Sequence, residues 1–270
     1  MTFHNPTDEL RSERKVIHVL THNGEMHADE VAAIAALIAF NNLVISVTRT
    51  RDENLISAAK LRGDLLIDLG REFNGVNLFD HHQDTELLSS AGLIWNFIDM
   101  KDKYPEVSKL ISIIDDQDRG IKKAGQFEIP VVIDMLNGKF EEQDANFEKA
   151  VNLMIDIFVS MKEAVDSMRF AKEIVSKSKE IIPGVLKLEA FTPHWNKFYN
   201  GKMTPTLRCV IWDDENTHDC KGQVIPVEPD SFDLHGIPFS ELNSDKMTFV
   251  HAAGFFCVAD NEGLMLEYLS

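Results

Sequence analysis

The sequence predicts an α/β fold: a mostly parallel sheet with flanking helices, followed by a smaller strand-rich C-terminal lobe. In the first half of the chain, apolar runs of strand length alternate with runs of helical spacing, which is typical of βαβ units. Histidines and aspartates gather where the apolar runs end. Toward the C-terminus, short apolar runs separated by Gly, Pro and Asn replace the alternation.

The first lobe is expected to alternate strands and helices in chain order. The strand candidates are the runs 16–21, 44–50, 64–69 and 76–79. Helical spacing covers 28–41, 52–61, 91–103 and a run from Pro105 to about Asp116, where proline suits the first helical turn. This order predicts parallel strands covered by helices.

The middle of the chain predicts one long helix. Residues 126–137 look irregular and lead into the turn signal Asn137-Gly138. Helical spacing then runs from 143 to 182, and Pro183-Gly184 ends it. We therefore predict three segments: an α/β metal-binding domain (1–140), a helical connector (141–183) and an α+β substrate-binding lobe (184–270).

Turn residues divide the C-terminal lobe into short elements. Strands are predicted at 186–191, 207–212, 223–227, 248–252 and 255–258, and a closing helix at 262–269. This lobe is therefore expected to be rich in strands.

Composition indicates a globular protein without a membrane span. The 270 residues are 44% apolar, but no run reaches the roughly 18 apolar residues that a span requires. Met1 to Arg14 lacks an apolar core, so neither a signal peptide nor a transit peptide is expected. Cys209, Cys220 and Cys257 form no Cys-x-x-Cys, which favours reduced thiols and a cytoplasmic location.

The net charge of -17, from 44 acidic and 27 basic side chains, limits the partners. A protein of this charge disfavours long duplex nucleic acid through long-range electrostatics. Bound divalent cations reverse the sign locally. A short single strand or a phosphoester of mononucleotide size is therefore the expected substrate class.

Clusters of histidine and aspartate follow four apolar elements. One such cluster alone would be read equally well as a solvated turn, but four at the ends of neighbouring elements predict one pocket. The clusters are His22 to Glu30, Asp68 after Leu65-Leu66-Ile67, Asp80-His81-His82-Gln83 after Leu78-Phe79, and Asp115 to Gly120. Carboxylates and imidazoles without cysteine favour manganese or magnesium over structural zinc.

The motifs resemble those of a known superfamily. The order His-x4-His-x-Asp, Ile-Asp-Leu-Gly, Asp-His-His-Gln and Asp-x-x-Asp-x-Gly is similar to the DHH phosphoesterases. Thr21-His22-Asn23-Gly24, Asp80-His81-His82-Gln83 and the segment from Phe249 to Phe255 resemble the melanocyte-proliferating-gene exonuclease family. The resemblance implies a DHH-phosphoesterase-like fold and 3′–5′ exonuclease activity on short RNA.

The resemblance also implies a site with two divalent ions, Mn²⁺ preferred and Mg²⁺ the alternative. One ion is expected on His22, His27 and Asp68. The other is expected on Asp29, Asp68, His81 and Asp118, with Asp68 bridging the two. His27 stands where the superfamily commonly has an aspartate. Asp118 is preferred to Asp115 as a ligand because it precedes the turn Arg119-Gly120.

Three further residues are expected to act beside the metal ligands. His82 would face the substrate and stabilise charge on the phosphoryl group. Asp80 would orient His81 or His82, and Asp115 would orient a ligand histidine.

His251 and Gly254 resemble the family's substrate-binding signature, although a hydrogen-bonded core histidine is an equal alternative. Two glycines expected after Gly254-Phe255 are absent, with Cys257 and Val258 near their place. An expected arginine-containing phrase is shortened to Phe232-Asp233-Leu234-His235. Fewer arginines means fewer bidentate phosphate contacts, which weakens the inference of an RNA substrate.

Three functions therefore stay open. The first is a metal-dependent phosphodiesterase or exonuclease; the second is a hydrolase of small nucleotide phosphoesters or pyrophosphates. The third is a metal-dependent binding protein without catalysis. The oligomeric state is also open, with a homo-oligomer among the alternatives.

Overall fold

A computed structural model describes residues 1–4, 16–199, 208–227, 233, 238–241 and 247–270, the side chain of Phe140 excepted. These residues form two compact units, Met1–Glu163 and Ala164–Ser270. The predicted boundaries at 140 and 183 lie on either side of this division, and the three-segment organisation stays a prediction. The start of the chain beyond residue 4 and most of the Phe232–His235 phrase lie outside the described residues.

The first unit contains a five-stranded sheet in the order β1-β3-β2-β4-β5. The neighbours β3-β2, β2-β4 and β4-β5 pair in parallel, while β1 pairs with β3 in the antiparallel sense. The mostly parallel sheet is therefore confirmed. The strands are β1 (Thr2–Phe3), β2 (Val16–Thr21), β3 (Val44–Arg49), β4 (Leu65–Ile67) and β5 (Leu78–Phe79).

The central helix of the first unit is α1, which packs against α3, α4 and α5. Its residues from Ala28 to Phe40 are all buried, because small and apolar side chains surround its whole circumference. The helices of the first unit are α1 (Ala28–Asn41), α2 (Glu53–Arg62), α3 (Ser90–Phe97), α4 (Pro105–Asp118), α5 (Ile129–Met135) and the part of α6 (Gln143–Lys177) up to Glu163.

Helix α5 corrects the expectation of irregular structure over 126–137. The helix is short and has Pro130 in its first turn, so its periodic signal is weak. Burial of Pro130 and Ile133 stabilises it in the tertiary structure.

The second unit is built on a six-stranded sheet in the order β10-β11-β9-β8-β7-β6. Among its described strands, only β7 and β8 pair in parallel. The strand-rich lobe is therefore confirmed. Its elements are β6 (Lys179–Ile182), β7 (Val185–Lys187), β8 (Cys209–Asp213), β9 (Cys220–Val224), β10 (Phe249–Val250), β11 (Phe256–Ala259) and α7 (Glu262–Leu269).

Residues 179–182 correct the predicted end of the long helix. Helix α6 ends at Lys177, and the next residues pair with β7 as an edge strand. The backbone groups gain partners across the sheet, which helical periodicity along the sequence does not reveal.

Each face of the second sheet carries an apolar cluster. Val210, Trp212 and Trp195 belong to one cluster, and Cys209, Cys257 and Met265 to the other. The cysteines are free thiols, and burial raises the pKa of Cys209 and of Cys220 to about 12. Across the described residues, no helix combines the length and apolarity needed to cross a membrane.

Candidate metal centre

The site forms where the parallel strands of the first sheet end. His22 follows β2, Asp68 follows β4 and Asp80 follows β5. Because these strands are parallel neighbours, their carboxyl ends lie at one edge of the sheet. Asp29 lies in the first turn of α1, which begins beside the same edge.

Two polar side chains hold the loop between β2 and α1. The guanidinium of Arg49 donates to the carbonyls of His22 and Gly24, at 3.2 and 2.7 Å. The side-chain amide of Asn137 donates to the carbonyl of Met26 at 3.0 Å and accepts from its N–H at 2.8 Å. The loop that carries His22 and His27 is therefore fixed by side chains distant in sequence.

Asp68 lies at the centre of the cluster. Its backbone is left-handed, with φ 53°, and its N–H donates to the carbonyl of Phe79 at 3.0 Å. Asp68 Oδ2 lies 3.3 Å from Nε2 of His22. Asp68 Oδ1 lies 3.7 Å from Nε2 of His81. Both predicted ion sites therefore meet at this carboxylate.

All six predicted ligands lie in this one cluster. Nε2 of His81 is 3.0 Å from Oδ2 of Asp118. Three overlapping groups each place their ligand atoms within 4.8 Å of one another: His22, His27, Glu30 and Asp68; Asp68, His81 and His82; and His27, Asp29 and Asp118. The first and third groups share His27, and the first and second share Asp68.

Unsatisfied buried atoms show that the cluster suits a cation. Four buried atoms have no hydrogen-bond partner among the described residues: His22 Nε2, Asp29 Oδ1, His81 Nε2 and Asp118 Oδ2. The ion-pair contacts of His22 with Asp68 and of His81 with Asp118 lack hydrogen-bond geometry. Buried polar atoms are rarely left unpaired, since each costs about 1–3 kcal/mol. A divalent ion would give all four a partner. The donor set therefore fits a hard or borderline metal.

The pKa shifts of His22 and Asp29 are caused in part by the high local density of negative charge. Burial lowers the pKa of His22, but the carboxylates of Asp68 and Glu30 outweigh burial and raise that pKa to about 10. Burial, followed by the charges of Asp68 and Asp118, raises the pKa of Asp29. A bound cation would neutralise these carboxylates.

The pKa values of His81 and Asp68 shift in the directions that a partner of opposite charge produces. Burial lowers the pKa of His81, but its contact with Asp118 prevails and the net shift is upward. Burial raises the pKa of Asp68, but pairing with His22 prevails and lowers it.

Glu30 is a candidate ligand that the sequence reasoning missed. Its carboxylate is fully buried, lies 3.3 Å from Nε2 of His22, and accepts from the N–H of His27 at 2.9 Å. The spacing from His27 to Glu30 could have revealed it. An acidic residue at the third position of a helix bonds back to the N-cap residue, and here that residue is His27.

Asp80 contacts His82 and not His81, which decides between the two alternatives. Asp80 Oδ1 lies 2.8 Å from Nδ1 of His82 and accepts the backbone N–H of His82 at 3.0 Å. The imidazole of His82 is half exposed and also lies 3.3 Å from Asp68 Oδ1. Asp80 therefore orients the ring that was predicted to face the substrate.

Asp115 does not contact a ligand histidine as predicted. Its Oδ1 accepts the N–H of Ser89 at 2.6 Å, and its Oδ2 faces Arg119 at 3.2 Å. The neighbouring Ser90 donates through its N–H to Asp29 at 3.2 Å and through its hydroxyl to Asp68 at 3.4 Å. Asp115 thus holds the start of α3, which in turn contacts two candidate ligands.

Two cavities, of about 470 and 540 Å³, open onto the cluster. Both are lined by His27 and His82. The smaller cavity extends past Asp29, His81 and Asp118 toward Pro130 and Asp134. The larger cavity extends past His22 and Asp68. His82 is therefore accessible from both sides of the candidate metal centre.

His251 and Gly254 lie in a turn of the second unit, directly after β10. Nδ1 of His251 accepts the N–H of Ala253 at 3.1 Å, and its ring centroid lies 4.3 Å from that of Phe255. Gly254 has φ +73°, and a Cβ there would lie 2.6 Å from the hydroxyl of Ser240. Both residues shape this turn, and their contact with substrate stays a prediction.

Sequence comparison connects the chain to one family. The family model MYG1_exonuc, described as an uncharacterised protein family (UPF0160), matches residues 18–268. A MYG1 protein of Chlamydia pneumoniae is 30% identical over 175 residues, and the match covers 59% of each chain. The chain thus spans well under two thirds of that relative's length.

Two fungal relatives match over a greater length. A MYG1 protein of Schizosaccharomyces pombe is 24% identical over an alignment of 307 positions, covering 89% of this chain and 92% of the relative. A MYG1 protein of Saccharomyces cerevisiae is 24% identical over 320 positions, covering 92% and 93%. No solved structure matches the chain.

Proposed function

This chain belongs to the MYG1_exonuc family, and from that premise we propose that it is a divalent-metal-dependent phosphoesterase, a 3′–5′ exonuclease acting on short single-stranded RNA or oligonucleotides. The observation that carries the proposal is the convergence in one cluster of four buried ligand atoms that no hydrogen bond satisfies. Three of these atoms lie within ion-pair distance of a neighbour, but none of those contacts has hydrogen-bond geometry. A site for divalent cations, in a family whose model is named for an exonuclease, supports phosphoester hydrolysis.

The proposed ligands form two sets that share Asp68. His22, His27 and Asp68, together with Glu30, would hold one ion. Asp29, Asp68, His81 and Asp118 would hold the other. A bound pair of such ions, Mn²⁺ or Mg²⁺, would neutralise phosphoryl charge and lower the pKa of a water at neutral pH.

His82 would act on the substrate itself. Asp80 accepts from Nδ1, which leaves Nε2 as the atom that can face a substrate. The ring is half exposed and lines both cavities, so it is accessible to a phosphoester. We assign His82 the role of stabilising charge on the phosphoryl group by donating a hydrogen bond.

The net charge supports a short substrate. With a net charge of -17, the chain attracts no long polyanion from a distance. The cavities of about 470 and 540 Å³ are the size of small-molecule sites. A few nucleotides therefore suit the site better than a long strand.

A manganese-supplemented assay tests this proposal. We expect the protein to shorten 5′-labelled single-stranded RNA of about five nucleotides stepwise from its 3′ end, and to leave the duplex uncut. Asp118→Asn should abolish the reaction by removing a ligand charge. Asp116→Asn, in the same helix but outside the cluster, is the matched control and should keep it.

Two outcomes would replace the proposal with one of its alternatives. Hydrolysis confined to nucleotide pyrophosphates or mononucleotide esters would indicate a small-phosphoester hydrolase. If calorimetry showed full metal loading and no phosphoester were hydrolysed, the protein would be a metal-dependent binding protein.

A further inference from the structure

The larger cavity, beside His22 and Asp68, has a cationic wall formed by Arg51, Lys60 and Arg71. Arg51 follows β3, Lys60 lies in the last turn of α2, and Arg71 lies in the loop after β4. Three carboxylates line the same cavity, those of Glu53, Asp68 and Asp80. The three cations balance these carboxylates, so a divalent ion bound at Asp68 would leave the cavity positive in a chain of net charge -17.

Arg71 has its guanidinium free and its backbone constrained. The side chain of Arg71 is exposed, and no described residue accepts a hydrogen bond from its guanidinium or pairs with its charge. Its φ is 51°, a left-handed conformation that is costly for a residue with a long side chain. Such strain is maintained only by surrounding contacts and is concentrated at functional sites.

Asp80 connects Arg71 to the histidine cluster. Its Oδ2 accepts the N–H of Arg71 at 2.7 Å, while its Oδ1 contacts Nδ1 of His82 at 2.8 Å. One carboxylate therefore fixes both the loop that presents Arg71 and the ring proposed to face the phosphoryl group. The position of Arg71 relative to His82 is thereby set by the fold.

The other two cations are held in place by protein contacts. Arg51 donates through Nε to the carbonyl of Asn23 at 3.1 Å, and its Nη2 lies 3.1 Å from Nδ1 of His22. Nζ of Lys60 pairs with Glu72 at 2.8 Å and lies 3.3 Å from the carbonyl of Gly70. These contacts position the wall, whereas the donors of Arg71 are free for a ligand.

We propose that Arg51, Lys60 and Arg71 bind a second phosphate of the substrate, adjacent to the phosphoester at the metal centre. A guanidinium binds phosphate with two parallel hydrogen bonds, which suits the free donors of Arg71. The inference rests on the proposed function and narrows its substrate to molecules with at least two phosphates, such as a terminally phosphorylated dinucleotide or a longer strand.

Binding of three dinucleotides tests the proposal without turnover. The probes are UpU, with one phosphate, and pUpU and UpUp, which carry a second phosphate on opposite sides. With Ca²⁺ in place of Mn²⁺, calorimetry should show one phosphorylated probe binding about tenfold more tightly than UpU, the gain of one charge-assisted contact. Arg71→Gln should remove that gain and leave the affinity for UpU unchanged.

Two further variants sharpen the test. Arg71→Lys retains the charge but not the planar fork, so it should keep part of the gain. Arg62→Gln removes the same charge from an exposed arginine of α2 that pairs with Asp64 and does not line the cavity, so it should keep all of the gain. For the preferred probe, Arg71→Gln should also lower the slope of log affinity against log salt by about 0.7.

Equal affinity of the parent for all three probes would overturn the subsite. A gain that survives Arg71→Gln, or an equal loss of UpU binding in that variant, would also overturn it. Because binding is measured without hydrolysis, a protein that binds the second phosphate but hydrolyses nothing would contradict only the proposed function. Hydrolysis with equal affinities would contradict only the subsite.

Discussion

At the scale of single residues, Asp68 and His82 have different proposed functions although they touch. Asp68 has an oxygen near each of His22 and His81, so it belongs to both proposed ligand sets. His82 is half exposed and is oriented by Asp80. Substitution of each residue should therefore separate metal binding from catalysis.

We predict that Asp68→Asn loses metal and turnover together, because the amide retains the shape but not the charge that bridges two cations. His82→Ala should keep both metals and lose about 10²- to 10⁴-fold in kcat, the range for a positioned proton donor. Calorimetric titration with Mn²⁺ and an RNA hydrolysis assay on both variants measure these effects.

A control separates these effects from a general loss of structure. Asp116→Asn, outside the cluster, should resemble the parent in both assays. If His82→Ala hydrolysed RNA as fast as the parent, the proposed role of His82 would be wrong.

At the scale of elements, the start of α3 supports the metal centre without supplying a ligand. Asp115 of α4 holds Ser89, the N-cap of α3, and Ser90 donates to Asp29 and Asp68. Gly92 packs into this junction. A Cβ there would lie 2.8 Å from Cβ of Leu88 and 3.1 Å from Oδ1 of Asp115.

We predict that Gly92→Ala destabilises the first unit by about 1–3 kcal/mol, the usual cost of overpacking, and weakens metal binding because Asp115 must move. Chemical denaturation and Mn²⁺ titration measure the two effects. Gly125→Ala is the control, since a Cβ there meets only ordinary contacts of 3.5 Å or more. Unchanged stability and metal affinity in Gly92→Ala would show that α3 does not support the site.

At the scale of the whole molecule, charge should govern which nucleic acids bind. We predict negligible binding of long duplexes at physiological salt and stronger binding of short single strands, because the -17 charge repels a polyanion while the metal centre attracts one phosphoester locally. Fluorescence anisotropy at several salt concentrations, with single-stranded and duplex RNA of the same sequence, measures the difference. Tight duplex binding that weakens steeply with salt would contradict the charge argument.

Local pattern was sufficient for the fold class and for many of the elements. The predicted bounds of β2, α1 and α7 match the structure residue for residue, because each has a periodicity and end signals of its own. The clusters at the ends of these elements also predicted one convergent pocket, since parallel strands bring their carboxyl ends to one edge, and the family resemblance supplied the six ligands. Residue type and chain order were the information that these inferences needed.

Only the tertiary structure decided which partners these elements and side chains have. Residues 179–182 became a strand because β7 lies beside them, and α5 formed because Ile133 is buried. In the structure Glu30 lies in the site, Asp80 contacts His82, and Asp115 accepts a hydrogen bond from Ser89. Contacts of this kind depend on groups distant in sequence or on backbone direction at the sheet edge, which local periodicity does not encode. The sequence by itself therefore determined the fold class and predicted six residues of the candidate site, and packing decided their contacts and added Glu30.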